Sequence, residues 1–290
     1  MVHDALLLGA GYTAGFFAEQ WNKKFGFASI YGTSRRGEVP LGIVPVVFDG
    51  KQPIANFRRL FSRVSHILVS IPPSAVGDPV LRLHHNDLSA LPVLQWVGYL
   101  STTGVYGDYG GAWVDEDSPC RAQTERGIAR VEAEKAWLQF GAQTGIKVQV
   151  FRLAGIYGPG RNAIEDVRQG VAHRLAKPGQ VFSRIHVQDI VRAVEVARLY
   201  GNDAIYNVAD DMPCPGHEVV AYAAELLGVM PPPLLDVEKV AHTLSPMTRS
   251  FYAECKRVRN TRIKALLPDG AWQYPDYRKG LQALLYRAKS

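Results

Sequence analysis

Short apolar runs alternate with longer amphipathic stretches along the first two thirds of the chain. Runs of about four to eight apolar residues bounded by turn residues read as buried strands. They fall at Ala5–Leu8, Ala28–Thr33, Ile43–Phe48, His66–Ile71, Gln95–Leu100, Lys147–Leu153 and Ala204–Val208. Helical spacing fills Tyr12–Asn22, Ile54–Arg63, Pro79–Leu91 and Thr124–Gln143 between them. Strands that alternate with helices return to the same sheet edge through right-handed crossovers. The pattern predicts an α/β fold with a doubly wound parallel sheet, whose ligands sit beyond the carboxyl ends of the strands.

After about Tyr157 the rhythm loosens. Gly158-Pro159-Gly160, Lys177-Pro178-Gly179, Pro213-Cys214-Pro215 and Pro231-Pro232-Pro233 are turn signals. They predict a smaller C-terminal lobe. The expected division is a dinucleotide-binding domain over residues 1–165, with 183–210 returning to it, and a substrate-binding lobe over 166–290.

The totals narrow the class. Three cysteines, Cys120, Cys214 and Cys255, lie far apart without metal-ligand spacing. That argues for a reducing compartment and against a zinc site. No run approaches the ~18 uncharged apolar residues of a membrane helix, and the start, Met1-Val2-His3-Asp4, lacks the basic and apolar regions of a signal peptide. A cytoplasmic protein is expected. The net charge of +6 points to an anionic ligand or partner; no nucleic-acid motif accompanies it, so nucleic acid is not the expected partner. Much of the excess lies in Arg249, Lys256, Arg257, Arg259, Arg262 and Lys264. These form either a solvated helix face or a holder for a phosphate-rich small molecule.

The opening segment carries the clearest chemistry. Leu6-Leu7-Leu8-Gly9-Ala10-Gly11-Tyr12-Thr13-Ala14 is a strand, a glycine turn and a helix start in that order. Gly9 permits the tight turn. Gly11 lets the backbone approach a diphosphate seated on the free amides of the helix N-terminus, around Tyr12 and Thr13. Ala14 allows helix and strand to pack closely. The plain alternative is a tight turn with no ligand. The second strand ends in Thr33-Ser34-Arg35-Arg36, where an NAD-selective site would place an acid. Hydroxyls and guanidiniums suit a 2′-phosphate, so NADP rather than NAD is the expected cofactor; the alternative is a solvated basic loop. Asp49 is either an acceptor for the adenine amino group or a strand-end cap.

Four further motifs follow in order: Tyr99-Leu-Ser101-Thr102-Thr103-Gly-Val105-Tyr106-Gly107, Phe151-Arg152-Leu-Ala154-Gly-Ile156-Tyr157-Gly-Pro-Gly160, Arg184-Ile-His186-Val-Gln-Asp189 and Tyr206-Asn207-Val208. Together with the glycine turn they resemble the extended and atypical short-chain dehydrogenases/reductases, which include nucleotide-sugar epimerases, dehydratases and reductases. The resemblance spans nearly the whole chain and implies a two-lobed Rossmann enzyme. It implies cofactor contacts at Ile71, Pro72, Ala154 and Ile156, and substrate contacts at Tyr106, Arg161, Lys256 and Arg257. A small anionic substrate such as a nucleotide sugar follows from it, with a homodimer as the candidate assembly.

The chain departs from that family in two ways. Its turn reads GxGxxA rather than GxxGxxG, as in the atypical branch. Its YxxxK pair is missing: with Glu134 in register as the acid one turn beyond the lysine, the tyrosine slot holds Arg126 and the lysine slot Arg130. A guanidinium stays protonated at physiological pH and is no base. Losing a positioned acid/base typically costs about 10²–10⁴ in rate. The catalytic candidates are Thr102, which resembles the hydroxyl that bonds the reacting oxygen, and Arg126 and Arg130, which are otherwise ordinary helix surface. Tyr106, Tyr109, Tyr157 and His186 are candidate replacement acids or bases. Tyr252-Ala-Glu-Cys-Lys256 matches YxxxK far downstream and reads as coincidence. Arg152 and Asp189 are candidates for a structural ion pair. The expectation is an NADP-dependent oxidoreductase or epimerase with a nonstandard active site; the alternative is a catalytically degenerate redox sensor or scaffold.

Overall fold

The computed structural model describes residues 3–202 and 204–287. The extreme positions of both expected domain ranges, and Met1 and Val2 of the start, lie outside the described residues. The first half runs β1 (Asp4–Leu8), α1 (Tyr12–Phe25), β2 (Ile30–Ser34), β3 (Val44–Val47), α2 (Phe57–Leu60), β4 (Val64–Val69), α3 (Pro79–Ser89) and β5 (Trp96–Thr102). There follow β6 (Trp113–Val114), α4 (Glu125–Thr144), β7 (Lys147–Leu153), β8 (Gly155–Tyr157), α5 (Ala163–Arg168), β9 (Arg174–Ala176), β10 (Arg184–His186) and α6 (Val187–Tyr200). The chain ends with β11 (Ile205–Val208), α7 (Gly216–Leu227), β12 (Leu234–Asp236), α8 (Val237–Val240), α9 (Pro246–Ala253), β13 (Arg257–Val258), α10 (Thr261–Lys264) and α11 (Tyr277–Arg287).

All seven expected strands form, and they make one seven-stranded sheet in the order β11-β7-β5-β4-β1-β2-β3. Pairing from β3 through β5 is parallel throughout. Chain reversal on either side of β1 is the Rossmann order, and its switch point lies at the β1 end that carries the glycine turn. The fold is therefore the doubly wound α/β type.

Local signals set the helix ends. Asp78 accepts from the Val80 and Leu81 amides and Pro79 opens α3; a proline there sacrifices no helical bond. Thr124 accepts from Gly127 N–H at the start of α4, and Gly145 ends it in the left-handed conformation. One expectation is corrected. The helix read over Ile54–Arg63 is a single turn, Phe57–Leu60. Asn56 takes a left-handed φ of 53° and breaks the helical path before it, while Phe57 and Phe61 still reach the core.

The chain divides into two compact units. The first comprises Met1–Val105, Ala122–Arg152 and Val194–Tyr206. Its core joins Leu6, Leu8, Ile67, Val69, Val97 and Tyr99 of the sheet to Trp137 and Phe140 of α4. Each such buried side chain contributes roughly 1.5–3 kcal/mol relative to exposure.

The second unit comprises Tyr106–Arg121, Leu153–Ala193 and Asn207–Ser290. It contains three small parallel pairs, β8–β10, β9–β12 and β6–β13. Its core gathers Ile164, Cys214, Val219, Ala223, Tyr277 and Leu281. Asp189, fully buried in the first turn of α6, accepts from the Gln273 and Tyr274 amides at 2.9 and 2.8 Å. It fastens the segment that leads into α11. Burial, only partly offset by those two amides, raises its carboxyl above the usual range. Replacing Asp189 by alanine removes the acceptor of both amides, of which the Tyr274 one is buried. The expected loss is about 2–4 kcal/mol of unfolding free energy, measured by urea titration of the full chain; a loss within error contradicts this anchoring role.

Candidate functional site

In the first unit, the turn after β1 is fastened by the two strands that flank it. Gly9 has φ of 101°. Its N–H donates to Thr33 Oγ1 at 2.9 Å, and Ser70 Oγ donates to its carbonyl at 2.6 Å. Ala10 N–H donates to the Thr33 carbonyl at 2.7 Å. A Cβ on Gly9 would lie 2.6 Å from Ser70 Oγ and 3.0 Å from Ile71 N, so no side chain fits there. Gly11 is the opposite case. A Cβ on it would meet nothing within 4 Å, and as the N-cap of α1 it offers no side-chain cap. The first turn of α1 carries no acid. An exposed, uncapped helix N-terminus presents amide hydrogens and partial positive charge to an anion. These residues fit a dinucleotide diphosphate, with Thr13 and Ala14 buried behind them.

At the end of β2, Ser34 Oγ is buried and has no hydrogen-bond partner among the described residues. Arg35 and Arg36 are exposed beyond it. Asp49 is exposed and accepts from Lys51 N–H at 2.8 Å; that bond, above all, lowers its pKa. It acts as a turn acceptor in this structure. Ile71 is half-buried beside Gly9, and Pro72 is exposed.

Thr102 closes β5. Its hydroxyl oxygen accepts from Gly104 N–H at 3.1 Å, which leaves its own hydrogen for an outside acceptor. Arg126 lies exposed in the first turn of α4. Arg130, one turn on, donates to the Leu100 carbonyl at 2.9 Å and to the Tyr99 hydroxyl at 3.0 Å. Burial, the largest influence on Tyr99, drives its phenol above the ordinary range. Glu134 is buried, accepting from Ser101 Oγ at 2.5 Å and from Arg152 at 2.8 Å. That buried acid is the described partner of Arg152, whereas the described partners of Asp189 are backbone amides.

In the second unit the expected contacts already serve the protein. Ala154 is buried and its N–H donates to the Val208 carbonyl at 3.0 Å; Ile156 is half-buried in β8. Tyr106 is fully buried and donates to Asn207 Oδ1 at 2.7 Å, while Asn207 N–H donates to Glu116 at 2.7 Å. Tyr109 donates to the Pro119 carbonyl at 2.6 Å and Tyr157 to that of Asp276 at 3.3 Å. Burial raises the Tyr157 phenol well above its normal pKa. His186 is buried and accepts from Gln188 N–H at 3.2 Å. Tyr106, Tyr157 and His186 are buried, whereas Tyr109 is half-buried. Arg161 is exposed and closes a tight turn through reciprocal backbone bonds with Gly158.

Much of the late basic run is engaged within its own unit. Lys256 donates to the Gly107 carbonyl and to Glu254, both at 2.6 Å, and Arg257 donates to the Gly111 carbonyl. Arg259 stacks 5.2 Å over Trp113, Arg262 pairs with Asp117 at 3.0 Å, and Lys264 with Asp211 at 2.9 Å. The run cross-links segments of its own unit. Tyr252 and Lys256 do not share a helix, since α9 ends at Ala253.

One cavity in this unit, of about 310 Å³, is lined by Lys177, Gln180, Val181, Pro215, His217 and Arg257 among others. Sequence reasoning reached Arg257 but missed Lys177, Gln180 and His217. The turn signals at Lys177-Pro178-Gly179 and Pro213-Cys214-Pro215 marked the two loops, but nothing local shows that they meet.

Residues 93–209 match the family described as NAD dependent epimerase/dehydratase. A structure of a functionally unknown conserved protein from Silicibacter pomeroyi is 42% identical over the full length of both chains, with a TM-score of 0.85. MoeE5, solved with UDP-glucuronic acid and NAD, is 19% identical over 98% of this chain and 99% of its own, with a TM-score of 0.72. A 3-diazoavenalumate denitrifying reductase from Streptomyces sp is 27% identical over 177 residues, 58% of this chain. The match spans about half that reductase's length, 55%. Among the described residues, no helix is long and apolar enough to cross a membrane.

Asp210 yields a pH test for the second unit. It is buried, Oδ2 has no hydrogen-bond partner among the described residues, and Oδ1 accepts from Met212 N–H at 3.2 Å. Burial is the main cause that pushes its pKa from 3.8 up to about 8. The folded state therefore holds this proton more tightly than the unfolded chain. Stability from this group is fullest below the unfolded value and is lost as pH rises toward about 8. Asp210→Asn removes the titration, so the variant gains on the parent between about pH 5 and pH 8. Guanidinium unfolding at three pH values reads this; a constant difference between variant and parent contradicts it.

Proposed function

Taking as premise that the chain belongs to the NAD dependent epimerase/dehydratase family, we propose that it is an NADP-dependent oxidoreductase or epimerase. Its substrate is a nucleotide sugar or a similar anionic molecule, and its active site works without the tyrosine–lysine pair. The observation that carries the cofactor reading is the uncapped N-terminus of α1 over the open face of Gly11. The Tyr12 and Thr13 amides hold the diphosphate, while the Gly11 N–H is taken by the Gly9 carbonyl at 2.9 Å. Arg35, Arg36 and the unpartnered Ser34 hydroxyl receive the 2′-phosphate by charge-assisted bonds. Ile71 and Pro72 extend the cofactor contacts within the first unit. When bound, the nicotinamide supplies or accepts the hydride.

On the substrate side, Lys177, His217 and Arg257 around the cavity of the second unit suit a diphosphate. MoeE5 is solved with a uridine diphosphate sugar, which makes that class the first to test. Thr102 donates its free hydrogen to the reacting oxygen. Arg130, fixed by Leu100 and Tyr99, sets a permanent cation on the same helix as Arg126. Neither guanidinium removes a proton at physiological pH, so the two act by orienting groups and stabilising negative charge.

A second reading has its own support. With arginines in both slots, and Tyr106, Tyr109, Tyr157 and His186 all engaged by the protein, the chain fits a dinucleotide-binding sensor that does not turn over. Replacing Arg126 by tyrosine together with Arg130 by lysine separates the two. The active-enzyme reading expects NADPH-linked turnover of a UDP-sugar to fall about tenfold or more, since one positioned charged contact is worth about 1.5–3 kcal/mol. The sensor reading expects turnover to appear. Chromatography of the UDP-sugar product, with spectrophotometry of NADPH for any net reduction, decides between them.

Cofactor choice is tested by calorimetry. The double variant Arg35→Ala/Arg36→Ala is expected to lose about 10–100-fold in NADPH affinity, with little change toward NADH. Equal or tighter binding of NADH than NADPH by the parent chain overturns the NADP assignment.

A further inference from the structure

Two side chains that line the cavity of the second unit also hold another element. Lys177 Nζ donates to the Tyr252 carbonyl at 2.7 Å, and Gln180 Nε2 donates to the Glu254 carbonyl at 2.7 Å. Tyr252 adds its own attachments. Its hydroxyl donates to the Leu175 carbonyl at 3.3 Å, and its ring packs edge-on against Phe182 with centroids 5.2 Å apart. Every one of these partners lies in the 175–182 segment that forms the cavity wall.

The helix attached in this way has little else to hold it. No residue of α9 is buried, and Met247 and Phe251 are exposed. An element with few buried apolar contacts opens locally at low free-energy cost. The described bonds that fasten α9 gather at its C-terminal end, at Tyr252 and Glu254, and continue at Cys255, whose N–H donates to Asp108 Oδ1 at 2.7 Å; Arg249 adds one bond to the Ala241 carbonyl at 3.4 Å. An ammonium carries three donors, and the bond to Tyr252 uses one of those on Lys177. The remaining donors are available to an anion in the cavity that Lys177 lines.

We infer that α9 is a strap latched by cavity occupancy: an anion bound in the cavity fixes Lys177, and the fixed lysine holds Tyr252 and the end of α9 closed. The inference rests on the proposed reading of this cavity as a diphosphate site. Its physical basis is shared ordering. A lysine side chain loses considerable rotamer freedom when it is immobilised, and one immobilisation then serves both the anion and the Tyr252 carbonyl. Two events that share one ordering cost favour each other. The coupling is reciprocal, so weakening the strap must weaken anion binding by the same factor that anion binding tightens the strap.

The test is hydrogen exchange of the full chain, with and without uridine diphosphate as probe, alongside calorimetry of its binding. With probe at 100 times its Kd, amides of residues 247–254 are expected to exchange about tenfold more slowly, with about 100-fold as the ceiling if opening abolishes binding. Lys177→Met, compared at equal saturation, is expected to lose that slowing. Tyr252→Phe removes only the bond to Leu175 and is expected to weaken probe binding severalfold while its melting temperature stays within a few degrees. Binding of the probe with unchanged exchange at 247–254 overturns the strap and leaves the cavity reading standing. No binding heat at all overturns the cavity reading, and the strap with it.

Discussion

The carbonyl and amide of Gly9 are tied to the ends of two different strands, and the arrangement of the first unit around α1 follows from those bonds. Thr33 at the end of β2 accepts from the Gly9 N–H, and Ser70 just after β4 donates to the Gly9 carbonyl. β1 lies between β2 and β4 in the sheet, so these bonds close the switch point from both sides. With the turn fixed, α1 starts at a set place and direction, and its N-terminus, without a side-chain cap, lies beside the open face of Gly11. A preorganised anion cradle of this kind needs no rearrangement to receive a diphosphate.

A second constraint governs the far end of the same sheet. Glu134 is buried under β5, where Ser101 and Arg152 complete its hydrogen bonding. Removing one member of such a pair leaves a charge stranded in low dielectric, so the rotation of α4 about its axis is tightly set. That rotation places Arg130 against the Leu100 carbonyl and leaves Arg126 in solvent. The acid of α4 is thus held by Ser101 and Arg152, with guanidiniums at Arg130 and Arg126 on the same helix. A protonated guanidinium can anchor and polarise, but it cannot exchange a proton at neutral pH. Any reaction at this site must find its proton elsewhere or need none.

The second unit shows why a charge run is a poor guide to function. Positive charge at Lys256, Arg257, Arg262 and Lys264 meets carbonyls and carboxylates of segments more than forty residues away in sequence. Those contacts bind the 107–118 strip to the 254–264 strip through paired backbone and side-chain bonds. The cavity, by contrast, draws its basic side chains from separate loops at Lys177, His217 and Arg257. Its charge is concentrated by folding and not by neighbourhood in the chain.

What the sequence determined by itself is local in origin. Strand positions and the glycine turn with its following helix depend on residues a few positions apart. Their signals survive without knowledge of the rest. Legibility ended where a side chain's partner lay far along the chain. Tyr106 with Asn207, Lys256 with Gly107, Asp189 with Tyr274, and the meeting of Lys177 with His217 were decided only by tertiary structure. The short turn at Phe57–Leu60 belongs to the same class, because backbone strain at Asn56 and the demands of the core overrode helical spacing. Hydrogen-bond donors and cations take whichever acceptor the fold brings within about 3 Å, and sequence distance carries no information about which acceptor that is.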